Sequence, residues 1–276
     1  MNACSARITE AALGLLVISA LLAGVSVSAA EEHGTAESHT DPRPSIALII
    51  DDLGNRREQG RQAVSLPGPV ACAFLPYGHF TRQLAQQAHT SRKEVMLHLP
   101  MQAADHPPLD KGELTLDMTQ HQFMEALQQD LAVIPHVSGV NNHRGSLLTR
   151  HPGHMAWLMQ GIGQHGALFF VDSRTTPATV ASQLAGEYDI PSIERKVFLD
   201  NVRSADAVVE QFRRLLNIAR REGTALGIGH PHPETLAVLT QELGLLDDYN
   251  IQLVPVKRLI EINKERKSSW QASLFR

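Results

Sequence analysis

The sequence predicts an α/β protein, an irregular (β/α) barrel of about seven or eight parallel strands in a single domain. Short apolar runs alternate with amphipathic segments about eight times, and such alternation is typical of parallel strands covered by helices. Neither an internal repeat nor a second linker interrupts the pattern. An open doubly wound sheet is the alternative that the same pattern allows.

The first strand is the most clearly marked element. An apolar run, Ile46 to Ile50, ends in Asp51 and Asp52, and Gly54 then marks a turn. A short β-branched run bounded by a turn signal predicts a buried strand, whose carboxyl end is where α/β folds place their chemistry. Adjacent carboxylates repel each other unless a positive charge or a shared proton holds them. A divalent metal is the simplest explanation; one Asp capping the next helix while the other faces solvent is the alternative.

The other elements follow in chain order. Further strands are predicted at Val70–Leu75, Glu94–Leu97, Val137–Asn141, Ala167–Val171, Lys196–Leu199, Thr224–Ile228 and Ile251–Val254. Amphipathic helices are predicted near residues 55–65, 80–91, 119–133, 152–164, 177–187, 204–222, 233–246 and 256–266. Two helix starts carry capping chemistry: Thr119 with Gln122 forms a capping-box pattern, and Pro177 suits a first helical position.

The amino-terminal sequence predicts export. Residues 1–30 combine a positive residue, an apolar run and small residues before a cleavage point after Ala30, as secretory signals do. An uncleaved membrane anchor is the alternative, because the run approaches bilayer-spanning length. Residues 31–44 resemble a disordered leader, 45–266 form the domain, and 267–276 form a C-terminal tail. We expect a periplasmic or secreted protein without stable membrane insertion after cleavage.

Composition narrows the function classes. The 276 residues carry a formal net charge of −4 and no basic stripe, which argues against nucleic acid as a partner. After signal cleavage Cys72 would be the sole cysteine, so neither an internal disulfide nor a thiolate metal site can form. Fourteen histidines, several outside any histidine-rich tract, make imidazole the prominent metal-binding group.

Polar side chains follow five of the predicted strands, and this is the strongest pattern in the sequence. They are Asp51 and Asp52, His98, Asn141 to Arg144, Asp172 with Ser173, and His230. In a parallel sheet these strand ends converge on one rim. Two imidazoles and one carboxylate suit a zinc-like ion with an open position for water, so we expect Asp52, His98 and His143 to be the ligands. A core role for His98, a loop role for His143 and a salt bridge for Asp172 are the structural alternatives.

A metal at this rim would equip the site for hydrolysis. It would lower the pKa of a bound water and polarise a carbonyl group. A second carboxylate beside the metal could then act as general base, and a histidine across the rim could act as general acid.

The sequence resembles the divergent polysaccharide deacetylases, a distant branch of the NodB-homology deacetylases. The resemblance spans roughly Ser45 to Lys264 and is carried by five motifs in order: IALIIDDLGN, LHLPMQ, GVNNHRGS, FFVDSRTT and GIGHPHPET. It implies a distorted (β/α) barrel and metal-dependent removal of acyl groups from N-acetylated sugars. A carbohydrate is therefore the expected partner, and a divalent metal, Zn²⁺ first, is the expected cofactor.

The resemblance also implies residue roles. The paired-Asp motif makes Asp51 the general base and Asp52 a metal ligand, and His230 matches the late histidine that acts as general acid. In the main group an HxxxH segment supplies both metal histidines; here no second histidine follows His98 at that spacing, and His143 on the next strand takes its place. Arg144 and Arg174 are candidates for the arginine that holds the catalytic Asp. The residues expected to contact substrate are Asn142, Asp172, Ser173 and Arg144, with backbone N–H groups near Ser173 facing the oxyanion.

Three other functions fit parts of the sequence. A non-catalytic periplasmic protein could bind glycan or peptidoglycan on the same scaffold, since fold does not fix function. A glycoside hydrolase could pair Asp51 or Asp52 with Asp172 and would need no metal. A metal-dependent phosphoesterase is the third, although the motifs offer only Arg144 and Arg174 to hold a phosphate.

Overall fold

The protein is represented by a computed structural model that describes residues 43–105 and 109–274. The signal peptide and nearly all of the leader expected from the sequence lie outside the described residues. Among the described helices, none is both long enough and apolar enough to cross a bilayer.

Strands and helices alternate along the described chain. The strands are β1 (Ser45–Leu53), β2 (Ala71–Phe74), β3 (Val95–Met101), β4 (Val137–Arg144), β5 (Phe169–Asp172), β6 (Ser192–Glu194), β7 (Val197–Phe198), β8 (Thr224–Gly229) and β9 (Gln252–Leu253). The helices are α1 (Arg57–Val64), α2 (Thr81–Thr90), α3 (Gln120–Val133), α4 (Pro152–His165), α5 (Ala181–Glu187), α6 (Ala205–Glu222), α7 (Pro233–Glu242) and α8 (Val256–Leu274). Short 3₁₀ turns occupy Leu148–Arg150 and Leu243–Leu245.

The strands form one parallel sheet that curls into a half-barrel with helices between the strands, which confirms the predicted barrel-like α/β fold. Its order is β6-β5-β4-β3-β2-β1-β8-β7, and β9 pairs with the start of β1. The two edges are linked by one extended segment, residues 192–198, which pairs with β5 through β6 and with β8 through β7. Between the two short strands, Arg195 N donates to Asp172 O and Lys196 N donates to Leu226 O. This segment therefore connects the two edges of the sheet.

The pleat separates two apolar layers. Ile46, Leu48 and Ile50 of β1 pack in the layer that includes the helices around the sheet. Ala47 and Ile49 point to the inside, where Val256 and Leu259 of α8 join them, because successive side chains on a strand face opposite sides. A residue's place in this alternation therefore decides whether it can reach the inside of the barrel.

Helix α8 covers the amino ends of the strands. Glu94, just before β3, accepts hydrogen bonds from Val256 N at 2.6 Å and Lys257 N at 3.0 Å. Thr224, the first residue of β8, bonds to Asn263 of the same helix. With the amino end covered, the carboxyl ends of the strands form the open rim.

Three local features differ from the sequence-based expectation. β6 was not predicted, because it has only three residues at a sheet edge and carries no apolar run. Pro177 lies in a turn, and α5 begins at Ala181. The last helix continues to Leu274, beyond the expected domain boundary at residue 266. The capping box of Thr119 and Gln122 is present as predicted.

Candidate metal centre

The end of β1 turns both acidic side chains towards the inside of the barrel. Asp51 lies two residues after Ile49 and therefore faces the inside of the barrel. In a regular strand the next residue, Asp52, would face outwards. A bulge prevents this: the register with β2 shifts between Ile50 and Leu53, and Asp52 has φ of 56°. Asp is among the few residues that tolerate this left-handed conformation. The bulge therefore brings two consecutive carboxylates to one side of the strand.

Strands β3 and β4 supply the imidazoles. His98 is in register with Asn141, and His143 lies two residues further along β4. Residues i and i+2 of a strand share a face, so Asn141 and His143 both join His98 on the inside. The two histidines therefore come from adjacent strands and not from one HxxxH segment.

Three donor atoms form a nearly equilateral triangle. His98 Nε2 lies 3.2 Å from Asp52 Oδ1, His143 Nδ1 lies 3.0 Å from the same oxygen, and the two nitrogens are 3.0 Å apart. Ligand atoms at the zinc bond lengths of proteins in a tetrahedral arrangement would lie roughly 3.3 Å from one another. The triangle has the size of one face of such a coordination shell.

The electrostatics of this triangle favour a positive charge at its centre. Asp52 Oδ1 is shielded from solvent and, among the described residues, accepts no hydrogen bond of good geometry. Burial would raise the pKa of Asp52, but His143 and His98 outweigh it and hold that pKa well below the usual range. Burial would lower the pKa of His98, yet Asp51 and Asp52 raise it to about 9. Both carboxylates therefore favour a positive charge at the position of His98.

Asn141 connects the acidic and imidazole parts of the centre. Its amide nitrogen donates to Asp51 Oδ1 at 2.8 Å, and its amide oxygen lies 3.0 Å from His98 Nδ1. The same Asp51 oxygen is 3.7 Å from His98 Nδ1. Burial raises the pKa of Asp51 despite the opposing effect of His98 and His230. Asp51 is therefore a buried carboxylate with high proton affinity beside the triangle.

His230 lies across the rim and is held by Asp200. Its Nε2 is 3.8 Å from Asp52 Oδ2, and its Nδ1 is 2.9 Å from Asp200 Oδ1. Asp200 Oδ2 also accepts hydrogen bonds from His230 N at 2.6 Å and from Thr235 Oγ1 at 2.8 Å. Burial would lower the pKa of His230, but Asp200 outweighs it and raises that pKa. The imidazole is thus fixed with one nitrogen free to act at the rim.

A second group of ligand-type residues, Asp200, His230 and His232, also has donor atoms close together. It suits a metal poorly, because both Asp200 oxygens already accept hydrogen bonds from protein groups. His230 Nδ1 is likewise committed to Asp200. Asp52, His98 and His143 are therefore the better candidate ligands.

A groove lies over the triangle. A cavity of about 410 Å³ has Asp52, His143 and His230 in its wall, together with Arg56, Arg144 and Arg203. A neighbouring cavity of about 140 Å³ shares Asp110 with it and includes Tyr77 and Lys111. The Lys111 ammonium lies 4.4 Å from the centroid of the Tyr77 ring. The groove therefore borders the triangle at Asp52 and His143.

Two of the expected substrate-binding residues face away from this groove. Val140 and Phe170 pack towards the helices. Asn142 lies two residues after Val140, and Asp172 lies two residues after Phe170, so both face the same way. The Asn142 amide accepts from Ser173 N and donates to Arg144 O, both at 2.8 Å. The Asp172 carboxylate accepts from Arg174 N and Thr179 Oγ1, also at 2.8 Å. Both side chains brace the strand ends.

The expectations for Ser173 and the arginines also need correction. Ser173 N is occupied by Asn142, so it does not face an oxyanion, although Ser173 Oγ lies 3.3 Å from Asn141 Nδ2. Arg174 pairs with Glu194 at 2.7 Å. Arg144 lines the groove, as expected, but pairs with Asp110 at 3.1 Å and does not hold Asp51.

The sequence analysis assigned no role to four residues around the centre: Asn141, Asp110, Arg195 and Asp200. Asp200 directly follows an apolar strand, so the strand-end rule used for the other residues could have found it. Asn141 was part of a recognised motif but received no role. Arg195 Nε donates to Ser173 O at 2.6 Å, and its charge acts on Asp51; it lies between two very short strands with no pattern to mark it. Asp110 lies in a polar loop, and only its tertiary position shows that it belongs to the site.

Comparison with known proteins decides the family: the family of divergent polysaccharide deacetylases matches residues 48–260. The chain belongs to this family. Its family and fold are those of polysaccharide deacetylase-like hydrolases, which confirms the resemblance inferred from the motifs.

The relatives of this chain include two uncharacterized proteins. YibQ of Escherichia coli is 36% identical over 196 residues, which cover 71% of this chain and 61% of YibQ. A Haemophilus influenzae protein is 33% identical over 214 residues, covering 78% of this chain and 76% of that protein. The crystal structure of uncharacterized ATU2773 from Agrobacterium tumefaciens superposes with a TM-score of 0.76 at 22% identity, covering 79% of this chain and 89% of that chain. That structural similarity supports the fold.

Proposed function

We propose that the protein is an exported, metal-dependent deacetylase that removes acyl groups from N-acetylated, or O-acylated, sugars of a cell-envelope polysaccharide. The observation that carries the proposal is the triangle of Asp52, His98 and His143 at the open rim of a deacetylase-family barrel, with His230 on the opposite side. Export rests on the amino-terminal sequence pattern.

The donor set fits a zinc-like divalent ion. Asp52 Oδ1, His98 Nε2 and His143 Nδ1 would hold it, and their mutual distances match one face of a tetrahedral shell. Three protein ligands would leave a position for water or substrate, as in catalytic zinc sites. When bound, such an ion supplies a water of lowered pKa and polarises a carbonyl oxygen.

Asp51 is the proposed general base. Its carboxylate is positioned by Asn141, which fixes one oxygen. Burial raises its pKa, and a higher proton affinity favours taking a proton from the attacking water. Asn141 also binds His98 Nδ1, so one amide aligns the base with a metal-binding imidazole.

His230 is the proposed general acid. Its Nδ1 is held by Asp200, which leaves Nε2 directed towards the rim. Asp200 also raises the pKa of His230, which favours the protonated imidazole that a general acid needs. Asp200 fixes the ring orientation through the neighbouring backbone N–H as well.

The glycoside hydrolase alternative has little support in this geometry. That chemistry needs two carboxylates that flank the scissile bond. Asp172 faces the helices and is fully hydrogen bonded within the protein, so it cannot serve as the second acid. The remaining acids at the rim fit metal binding and base catalysis better.

Acetate release from N-acetylated chito-oligosaccharides and from peptidoglycan tests the proposal. We expect the zinc-loaded protein to release acetate, EDTA to abolish release, and Asp51→Asn to lower the rate about 100- to 10,000-fold. Asp189→Asn is the control for Asp51→Asn, because it makes the same substitution at an exposed aspartate outside the groove, and it should keep the rate of the unaltered chain. EDTA-insensitive acetate release, or an Asp51→Asn protein with full activity, would contradict this mechanism; zinc binding without acetate release from either substrate would favour a glycan-binding role.

A further inference from the structure

The loop between β3 and α3 brings an additional carboxylate to the metal centre. After β3 the chain forms an isolated bridge between Met101 and Leu114. Leu114 N donates to Pro100 O, and Gln102 N donates to Leu114 O, both at 2.9 Å. Asp110 N donates to Glu113 Oε2 at 2.8 Å. These bonds anchor the described part of the loop and fix the position of Asp110.

Asp110 contacts the outer side of a candidate metal ligand. Its Oδ2 lies 3.3 Å from His143 Nε2 and 3.1 Å from an Arg144 guanidinium nitrogen. The other ring nitrogen, His143 Nδ1, lies 3.0 Å from Asp52 Oδ1. The imidazole is therefore placed between two carboxylates, one at each nitrogen.

We propose that Asp110 is a positioning residue that prepares His143 to bind the metal. An imidazole can offer a lone pair from Nδ1 when its proton is on Nε2. A carboxylate beside Nε2 favours that tautomer and fixes the ring plane, and such outer contacts are usual for metal-binding histidines. The inference rests on the proposed function only in requiring that the triangle binds an ion.

The contact with Arg144 has a separate explanation that the experiment must exclude. Asp110 could simply form a surface ion pair with Arg144, since both side chains are about one-third exposed. Such a pair typically contributes about 0–1 kcal/mol to stability and would have no effect on metal affinity. The position of the same oxygen against His143 Nε2 favours the positioning role. The two explanations differ in what happens to metal binding when the carboxylate is removed.

The test is a Zn²⁺ titration of the metal-free protein against a chromophoric chelator, which requires no activity. We expect Asp110→Ala to weaken Zn²⁺ binding about 10- to 100-fold, as loss of an outer partner does. Asp110→Asn should weaken Zn²⁺ binding less, because its amide oxygen can occupy the position of Oδ2 beside His143 Nε2 and act as an acceptor there. Asp117→Asn is the control: it removes the same charge from an exposed residue of the same loop, bonded to Thr115. We expect that variant to bind within twofold of the unaltered chain.

A second readout follows the tautomer directly. The ¹⁵N chemical shifts of the neutral His143 ring in the metal-free protein should report Nε2–H in the unaltered chain and in Asp117→Asn, and a shift towards the Nδ1–H tautomer in Asp110→Ala. If Asp110→Ala does not fold by circular dichroism, the comparison of Asp110→Asn with Asp117→Asn decides the question. Equal Zn²⁺ affinity of the Asp110 and Asp117 variants would overturn this inference and leave the deacetylase proposal standing. Failure of the unaltered chain to bind Zn²⁺ would overturn both.

Discussion

Replacing Asp200 by asparagine should separate the chemistry of His230 from the stability of the fold. Asp200 Oδ1 faces His230 Nδ1, and Asp200 Oδ2 accepts from two donors, His230 N and Thr235 Oγ1. An asparagine nitrogen placed at the Oδ2 position would face both donors. The favoured orientation therefore places that nitrogen against His230 Nδ1. There it donates a hydrogen bond and forces the neutral imidazole to carry its proton on Nε2.

The size of the effect follows from these contacts. Asp200→Asn keeps the two hydrogen bonds at Oδ2, so we expect a loss of stability below about 2 kcal/mol, within the range for one altered hydrogen bond. The loss of the carboxylate lowers the pKa of His230, because Asp200 raises it in the folded protein. A general acid must be protonated, so the basic limb of the rate profile should move to lower pH, and the rate should fall about 100-fold or more.

The assay is acetate release across pH, with thermal unfolding measured on the same samples. Thr235→Val is the matched control, because it removes one Asp200 bond and leaves the His230 Nδ1 contact in place. It should cost about 1 kcal/mol of stability and leave the pH profile unchanged. A rate for Asp200→Asn within threefold of the unaltered enzyme, with the basic limb unmoved, would refute the proposed role of His230 as an acid tuned by Asp200.

Further predictions concern the metal and the packing of the barrel. His98→Ala and His143→Ala should each abolish tight Zn²⁺ binding, measured by chelator competition, because two ligands cannot hold the ion alone. Gly139→Ala should destabilise the protein by about 1–3 kcal/mol, as overpacking does, because its Cβ would lie 2.3 Å from the Phe169 ring. Glu94→Ala should cost about 0.5–2 kcal/mol, as loss of a helix cap does, since two N–H groups of α8 would lose their acceptor. Unfolding midpoints equal to those of the unaltered chain would contradict the two stability predictions.

The sequence predicted most of the fold because the patterns were local. Apolar runs and amphipathic segments marked eight of the nine described strands, and parallel topology followed from their alternation. The exception, β6, is too short to carry a pattern. The same reasoning placed Asp52, His98 and His143 on one rim, where the structure brings them together. The common direction of the parallel strands was sufficient to predict that these three residues lie on the same rim.

Strand-end position did not predict which face a side chain occupies. Asn142 and Asp172 end their strands as expected, but the pleat turns them towards the helices. Asp52 would also point outwards if β1 continued regularly, and only the bulge reverses it. A bulge depends on pairing with β2, so it is not visible in the β1 sequence. Counting residues in steps of two from Val140 or Phe170 could have predicted the orientation of Asn142 and Asp172.

Residues that act through long-range contacts were the hardest to predict. Asp110 reaches His143 from a loop more than thirty positions earlier in the chain, and Arg195 reaches the rim from the segment that links the sheet edges. Neither follows a predicted strand. Their roles depend on how the loop and the edge segment pack, which hydrophobic periodicity does not report.

Anomalous diffraction at the zinc absorption edge from Zn²⁺-soaked crystals tests the central claim most directly. The account predicts one strong peak at about 2.0–2.2 Å from Asp52 Oδ1, His98 Nε2 and His143 Nδ1, the bond lengths of protein zinc sites. A peak at Asp200, His230 and His232, or no peak at the rim, would contradict it.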